Sequence, residues 1–167
     1  NDGVIAKVDV LCKNADAGYG LFASESITKG ERLMSVPFGM CITSESVVSS
    51  ALNVIFTDNP SLLQYQDEVL AIALMHSKCC ESSPWRAHVD TLPASFNTTI
   101  YWEDYEVEEL RPSPVYHLTK MMNRQIQNDW EQIHTALKEN YPELLGGSTV
   151  EMYKWAMSVI FSRAIGV

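Results

Sequence analysis

The sequence predicts an α+β fold, with short strands gathered at the front of the chain and helices following them. Two observations carry this. The first forty residues alternate short apolar stretches with Gly- and Asp-rich turns. From about Thr43 onward, apolar residues recur at intervals of three and four, the period of a helix with one buried face.

In order, Val8 and Val10 alternate with Lys7 and Asp9 inside residues 4–11, the pattern of a half-buried strand. The stretch NADAGYG reads as a turn leading into a short strand, GLFAS. ITKGE is a second turn, and RLMSVPFGM a third strand with Pro37 at its end. Residues 43–55 read as a helix that Thr43 or Ser44 can cap. Residues 60–78 read as a stronger helix opened by Pro60. The segment 83–101 has two prolines and several aromatics and reads as an anchored loop, and WEDYEVEEL as a short acidic helix.

Between Val115 and Tyr141 the positions Val115, Leu118, Met122, Ile126, Trp130, Ile133 and Leu137 form one apolar stripe, predicting a long amphipathic helix. Ser148 and Glu151 have the spacing of a capping box opening a last helix, YKWAMSVIFSRAI. Internal repeats, low-complexity tracts and flexible linkers are absent from the sequence.

Composition narrows the function. With 46% hydrophobic and 20% charged residues, the chain has the balance of a globular protein. A formal net charge of −9 disfavours direct nucleic-acid binding, which needs a basic face, and suits a basic protein partner. Cys12, Cys41, Cys79 and Cys80 lack zinc-ligand spacing, so no metal is expected. Reduced thiols and the absence of a signal peptide lead to an intracellular expectation, and no apolar run is long enough for a membrane helix.

Several residues could carry chemistry. Gly18-Tyr19-Gly20 either lets the backbone approach a ligand closely or makes a tight turn. It lacks the third glycine of a dinucleotide fingerprint. Arg163, between Phe161 and Ile165, can hold a carboxylate by a bidentate fork or extend to the surface. His76, His88, His117 and His134 have no zinc-protease spacing, and no serine sits in a nucleophile elbow. Asp104, Glu106, Glu108 and Glu109 read as a solvated helix face rather than a general-acid pair.

Taken in order, three segments resemble the SET-domain protein methyltransferases, in the branch holding the Rubisco large-subunit lysine methyltransferase and the actin histidine methyltransferase. They are GYGLFASESITKGERLMSVP at 18–37, the helix, Ser-x-Trp and Leu-Pro of 68–93, and the Trp-Ala…Ser-Arg-Ala helix at 153–165. The resemblance implies small, irregular antiparallel sheets of an incomplete SET fold plus a mainly helical inserted subdomain. Residues 1–59 would be the N-terminal part of the SET domain, 60–147 the insert walling one side of a peptide groove, and 148–167 the start of its C-terminal part.

It further implies S-adenosylmethionine as cofactor, held by the backbone around Ala17, Gly18, Tyr19 and Gly20, with Arg163 on its carboxylate. Some relatives carry an acidic residue at the position of Ala17. Ile165 falls where lysine-modifying members have an apolar or aromatic residue, so the implied substrate is a protein or peptide with a target lysine. The catalytic tyrosine of the family lies downstream of this helix and is expected beyond Val167. None of the 167 residues is therefore assigned that role, and the chain alone is expected to be inactive. A truncated SET fold would expose apolar surface on the first sheet and last helix, through which dimerisation is expected. The rival reading is a non-catalytic SET-like scaffold or peptide-binding module.

Overall fold

The computed structural model describes residues 4–5, 7–9, 13–14, 18–138, 140–145 and 147–165. The chain divides into two compact units, residues 1–41 and 42–167.

The first unit is built from three two-stranded antiparallel ladders that nest along the sequence. β3 (Lys13–Asn14) pairs with β4 (Gly18–Tyr19), β2 (Val8–Asp9) with β5 (Phe22–Ala23), and β1 (Val4–Ile5) with β6 (Met34–Ser35). The strand expected over 4–11 is divided between two partners, β6 for its first part and β5 for its second, because the chain between Ala23 and Met34 leaves the ladder and Lys7 turns between them at φ +59°. A turn closes that excursion. Gly30 sits at φ +88°, a conformation costly to residues with a Cβ, and the Glu31 amide donates to the Thr28 carbonyl at 3.1 Å. The Glu31 carboxylate accepts from the Thr28 amide and hydroxyl, both at 3.0 Å, and forms an ion pair with Lys7. Lys7, then the two Thr28 donors, hold that carboxyl below its usual range.

The second unit contains every hydrophobic residue buried among the described ones, from Val47 to Ile160. Its centre is α3 (Gln66–Cys79) packed along α8 (Val150–Arg163). Both helices are apolar on most of their circumference, as helices enclosed by neighbours must be. α3 buries Val69 and the whole run from Ala71 to Ser77, and α8 buries Tyr153 and the run from Trp155 to Ile160. The small residues Ala71, Ala73 and Ala156 are fully enclosed, which lets neighbouring backbones approach.

Around this pair lie α1 (Ser44–Val48), α2 (Asn53–Asp58), α4 (Arg86–Val89), α5 (Asp104–Glu108), α6 (Val115–Lys138) and α7 (Pro142–Leu145). The helix expected over 43–55 is two helices. Ser50 breaks it, its hydroxyl donating to the Val47 carbonyl at 2.6 Å and accepting from the Leu52 amide at 3.1 Å. Thr43 does cap α1, accepting from the Ser46 amide at 3.1 Å. The helix expected from Pro60 opens as a 3-10 turn, Pro60–Gln64, and extended Tyr65 separates it from α3.

α6 buries Thr119, Ile126, Trp130, Ile133 and Leu137. The stripe therefore holds from Met122 onward and shifts in the first turn. Val115 and Leu118 face solvent, while Thr119 turns inward and donates to the Thr99 hydroxyl at 2.8 Å. α8 is capped by Thr149, accepting from the Met152 amide at 3.2 Å, one residue later than the Ser148 spacing indicated. The fold is α+β with small antiparallel sheets.

Candidate functional site

Two of the three family-like segments meet in the second unit. In the second, Ser83 is buried and its hydroxyl pairs with that of Ser77 on α3 at 2.7 Å while accepting from the Trp85 amide at 3.3 Å. Trp85 and Leu92 pack on the core. The Pro93 carbonyl accepts from the indole N–H of Trp155 on α8 at 2.8 Å, and the Lys78 ammonium sits 3.7 Å from the centroid of that ring. Ser-x-Trp, Leu-Pro and Trp-Ala are thus parts of one fastening between α3, the 83–101 segment and α8.

Gly18 and Tyr19, where the sequence predicts a turn with the preceding residues, instead form β4. A strand suits them because the glycine of an edge ladder leaves the backbone open to close approach. Ala17 lies outside the described residues. Gly20 follows β4 and is exposed; a Cβ there would meet the Phe22 ring at 3.5 Å, an ordinary contact, so the chain geometry does not itself demand glycine.

Arg163 closes α8 and is exposed. Its Nη1 donates to the Ser162 hydroxyl at 2.7 Å, and its guanidinium carbon lies 5.6 Å from the centre of the Phe96 ring. The Ser162 hydroxyl in turn donates to the Ser158 carbonyl at 2.7 Å. No carboxylate pairs with Arg163 among the described residues. The guanidinium is therefore held by a ring and a hydroxyl while its charge stays uncompensated, an arrangement that fits an incoming carboxylate. Phe96 was legible only as one of several loop aromatics; its place beneath Arg163 is a tertiary fact. Ile165, just past α8, is 87% exposed. Arg163 and Ile165 share one end of the second unit, and Gly18–Gly20 belong to the first. Val167, the position past which the catalytic tyrosine is expected, lies outside the described residues, so the structure neither supplies nor replaces that tyrosine.

Of the other singled-out groups, Glu108 is engaged by Arg111, by Tyr116 at 3.0 Å and by Lys120 at 3.2 Å, which pull its carboxyl down to about 2. It is a structural anion at the foot of α6. Tyr153 is fully buried. Tyr101 shares a hydrogen bond with Ser158 at 3.1 Å, and burial raises its phenol above the ordinary value. Cys41, Cys79 and Cys80 are free thiols; Cys79 points at the Met152 sulfur at 3.8 Å. Among the described residues no group of three or more His, Cys, Asp or Glu side chains could hold a metal, and no helix is long and apolar enough to cross a membrane.

One set of residues escaped the sequence reading. Glu68 on α3 and Asp129 on α6 line one groove and both act electrostatically on Tyr153 of α8, although 61 and 24 positions separate them along the chain (68 to 129, 129 to 153). No local spacing could have signalled this.

No family model matches the sequence. The chain is 31% identical over 153 residues to the actin-histidine N-methyltransferase of Danio rerio, covering 89% of this chain and 26% of that protein. It is 26% identical over 151 residues to the chloroplastic Rubisco large-subunit N-methyltransferase of Nicotiana tabacum, covering 88% of this chain and 29% of the relative. The chain thus spans between a quarter and a third of the length of the curated relatives it matches. Among solved structures, the SET domain of LSMT bound to lysine and AdoHcy superposes with a TM-score of 0.80 at 21% identity, over 98% of this chain and 37% of that one. Rubisco LSMT bound to AdoMet gives 0.78 at 22% identity, over 95% and 36%. The chain therefore shares the SET-domain fold of LSMT and is related to the branch of SET-domain proteins that contains the actin-histidine and Rubisco large-subunit methyltransferases.

Proposed function

We propose that this chain is the cofactor-binding and groove-forming part of an S-adenosylmethionine-dependent protein methyltransferase acting on lysine, and that its 167 residues alone do not complete the reaction. The observation that carries this reading is the uncompensated Arg163 guanidinium at the end of α8, within a chain related in sequence to two protein methyltransferases. S-adenosylmethionine supplies a methyl group on a sulfonium sulfur. Arg163 would bind its carboxylate through the guanidinium fork, with Phe96 and Ser162 fixing the fork in place. The main chain of Ala17, Gly18, Tyr19 and Gly20 would line the rest of the ligand, needing no side chain to do so. In domain terms, 1–59 and 148–167 would be the two parts of the SET domain and 60–147 its insert.

The lysine assignment rests on Ile165, an apolar residue at the position where the resemblance gives lysine-modifying members an apolar or aromatic one. A histidine target is the second reading, favoured by the higher identity to the zebrafish actin-histidine enzyme. A non-catalytic scaffold is the third. The buried Tyr153 and the hydrogen-bonded Tyr101 support leaving the catalytic tyrosine unassigned within this chain, as a residue expected beyond Val167.

A chimera tests the substrate. With these residues replacing the matching segment of the tobacco enzyme, transfer from tritiated S-adenosylmethionine to lysine peptides is expected, and none to histidine peptides. Transfer to histidine, or none from a folded chimera, contradicts the lysine reading. Placed alone, the chain is expected to transfer nothing to either peptide.

A further inference from the structure

Between the start of α3, the middle of α6 and the end of α8 runs a groove of about 510 Å³. Asp67 and Glu68 enter it from the first turn of α3, Gln125 and Asp129 from one face of α6, and Met157 and Phe161 from one face of α8. Tyr65 stands at its rim. Three carboxylates therefore meet in one concavity with a thioether and two aromatic rings, Tyr65 60% and Phe161 51% exposed.

No lysine or arginine pairs with any of the three acids among the described residues. The one hydrogen bond to them from a neighbouring side chain is from Gln125, donating to Asp129 at 2.7 Å among the described residues. Tyr153, one turn before the groove residue Met157 on α8, is fully buried, its hydroxyl without a hydrogen-bond partner among the described residues. Asp129, Glu68 and Asp67 all act electrostatically on that phenol and, after burial, hold it in its protonated form. Burial, then Asp129, then Asp67 push the Glu68 carboxyl up to about 7. Like charges converging on a partly dry site, within electrostatic range of a buried hydroxyl that lacks a hydrogen-bond partner among the described residues, are an expensive arrangement that a cation would relieve.

We propose that this groove binds a lysine or arginine side chain from an extended segment of a partner protein. The carboxylates would take the charged head, and Tyr65, Phe161 and Met157 the aliphatic stem and the cation's face. Among the described residues no group of three or more His, Cys, Asp or Glu side chains could hold a metal. The site stands independently of methyl transfer and of Arg163, because its residues belong to no cofactor-binding position named above.

The test is fluorescence anisotropy of the chain at pH 8 with a fluorescein-labelled peptide of alternating lysine and glycine. Glu68→Gln with Asp129→Asn is expected to weaken binding about tenfold or more, and raised salt to weaken binding of the parent. Glu106→Gln with Glu109→Gln, on the acidic α5 region, is expected to leave binding unchanged. Circular dichroism confirms that each variant is folded, and Glu68→Gln alone serves if the double variant is not. The proposal is overturned if the groove variants bind like the parent or if the α5 variants lose as much. It also fails if the parent shows no binding up to about 1 mM peptide, or if spermidine binds while the peptide does not.

Discussion

Residues 1–41 and 42–167 both carry family-like sequence, yet they are held in different ways. The second unit has all of the buried apolar core found among the described residues. In the first, ladder hydrogen bonds, one tight turn and the Lys7–Glu31 ion pair are the visible ties, while Leu21, Val36, Phe38 and Met40 face outward. The contrast shows that sequence motifs specify different things in different contexts. In the first unit, Gly30 and Glu31 specify the path of a backbone. In the second, Ser83, Trp85, Pro93 and Trp155 specify how helices are fastened.

The sharpest break of this comparison is a pair of truncations. Ile72→Ala in the centre of α3 is expected to cost about 2–5 kcal/mol, since an enclosed site cannot collapse around the lost atoms. Phe22→Ala in β5 should change stability by about 0.5 kcal/mol or less, as a solvent-facing side chain does. Equal losses in urea denaturation would mean that the ladders are a core in their own right.

Smaller is Ser83→Ala, which leaves the Ser77 hydroxyl buried and unpaired and should cost about 1–3 kcal/mol by the same measurement. A neutral result would mean the Ser-x-Trp segment is not a fastening.

Smaller again, and opposite in sign, is Glu68→Gln. The folded Glu68 carboxyl titrates near 7, against 4.5 for the ordinary group, so between these values the folded chain binds the extra proton and stability falls as pH rises. Removing the charge should stabilise the protein at pH 8 by something on the order of 1 kcal/mol, allowing for solvent screening of a half-exposed group. The gain should disappear below about pH 4.5. A variant less stable than the parent at pH 8 would show that a cation within the chain already compensates Glu68. If two copies pair through the exposed apolar residues of 21–40, light scattering of Val36→Lys with Phe38→Lys should show a smaller species than the parent; an unchanged species contradicts pairing there.

Much of this was legible in the sequence, for reasons that differ by element. α6 was readable because Ile126, Trp130, Ile133 and Leu137 repeat at helical spacing over many turns. Its first turn was not, because the exchange of Leu118 for Thr119 at the core depends on Thr99 coming near. The split between α1 and α2 turns on one serine hydroxyl, and the cap of α8 fell to Thr149 instead of its neighbour. Local side-chain competition decides such points, and periodicity carries no information about it. Arg163 was identified by its motif, whereas Phe96 beneath it and the electrostatic coupling of Glu68 and Asp129 to Tyr153 arise only when distant helices pack.

The most direct test of the functional account is saturation-transfer NMR of S-adenosylmethionine with the chain and with Arg163→Ala. The account predicts a weak but measurable signal from the parent, with a dissociation constant no tighter than about 100 μM, that disappears in the variant. A parent signal that survives Arg163→Ala unchanged, or no signal from the folded parent, would contradict the assignment of Arg163 as the residue that grips the cofactor.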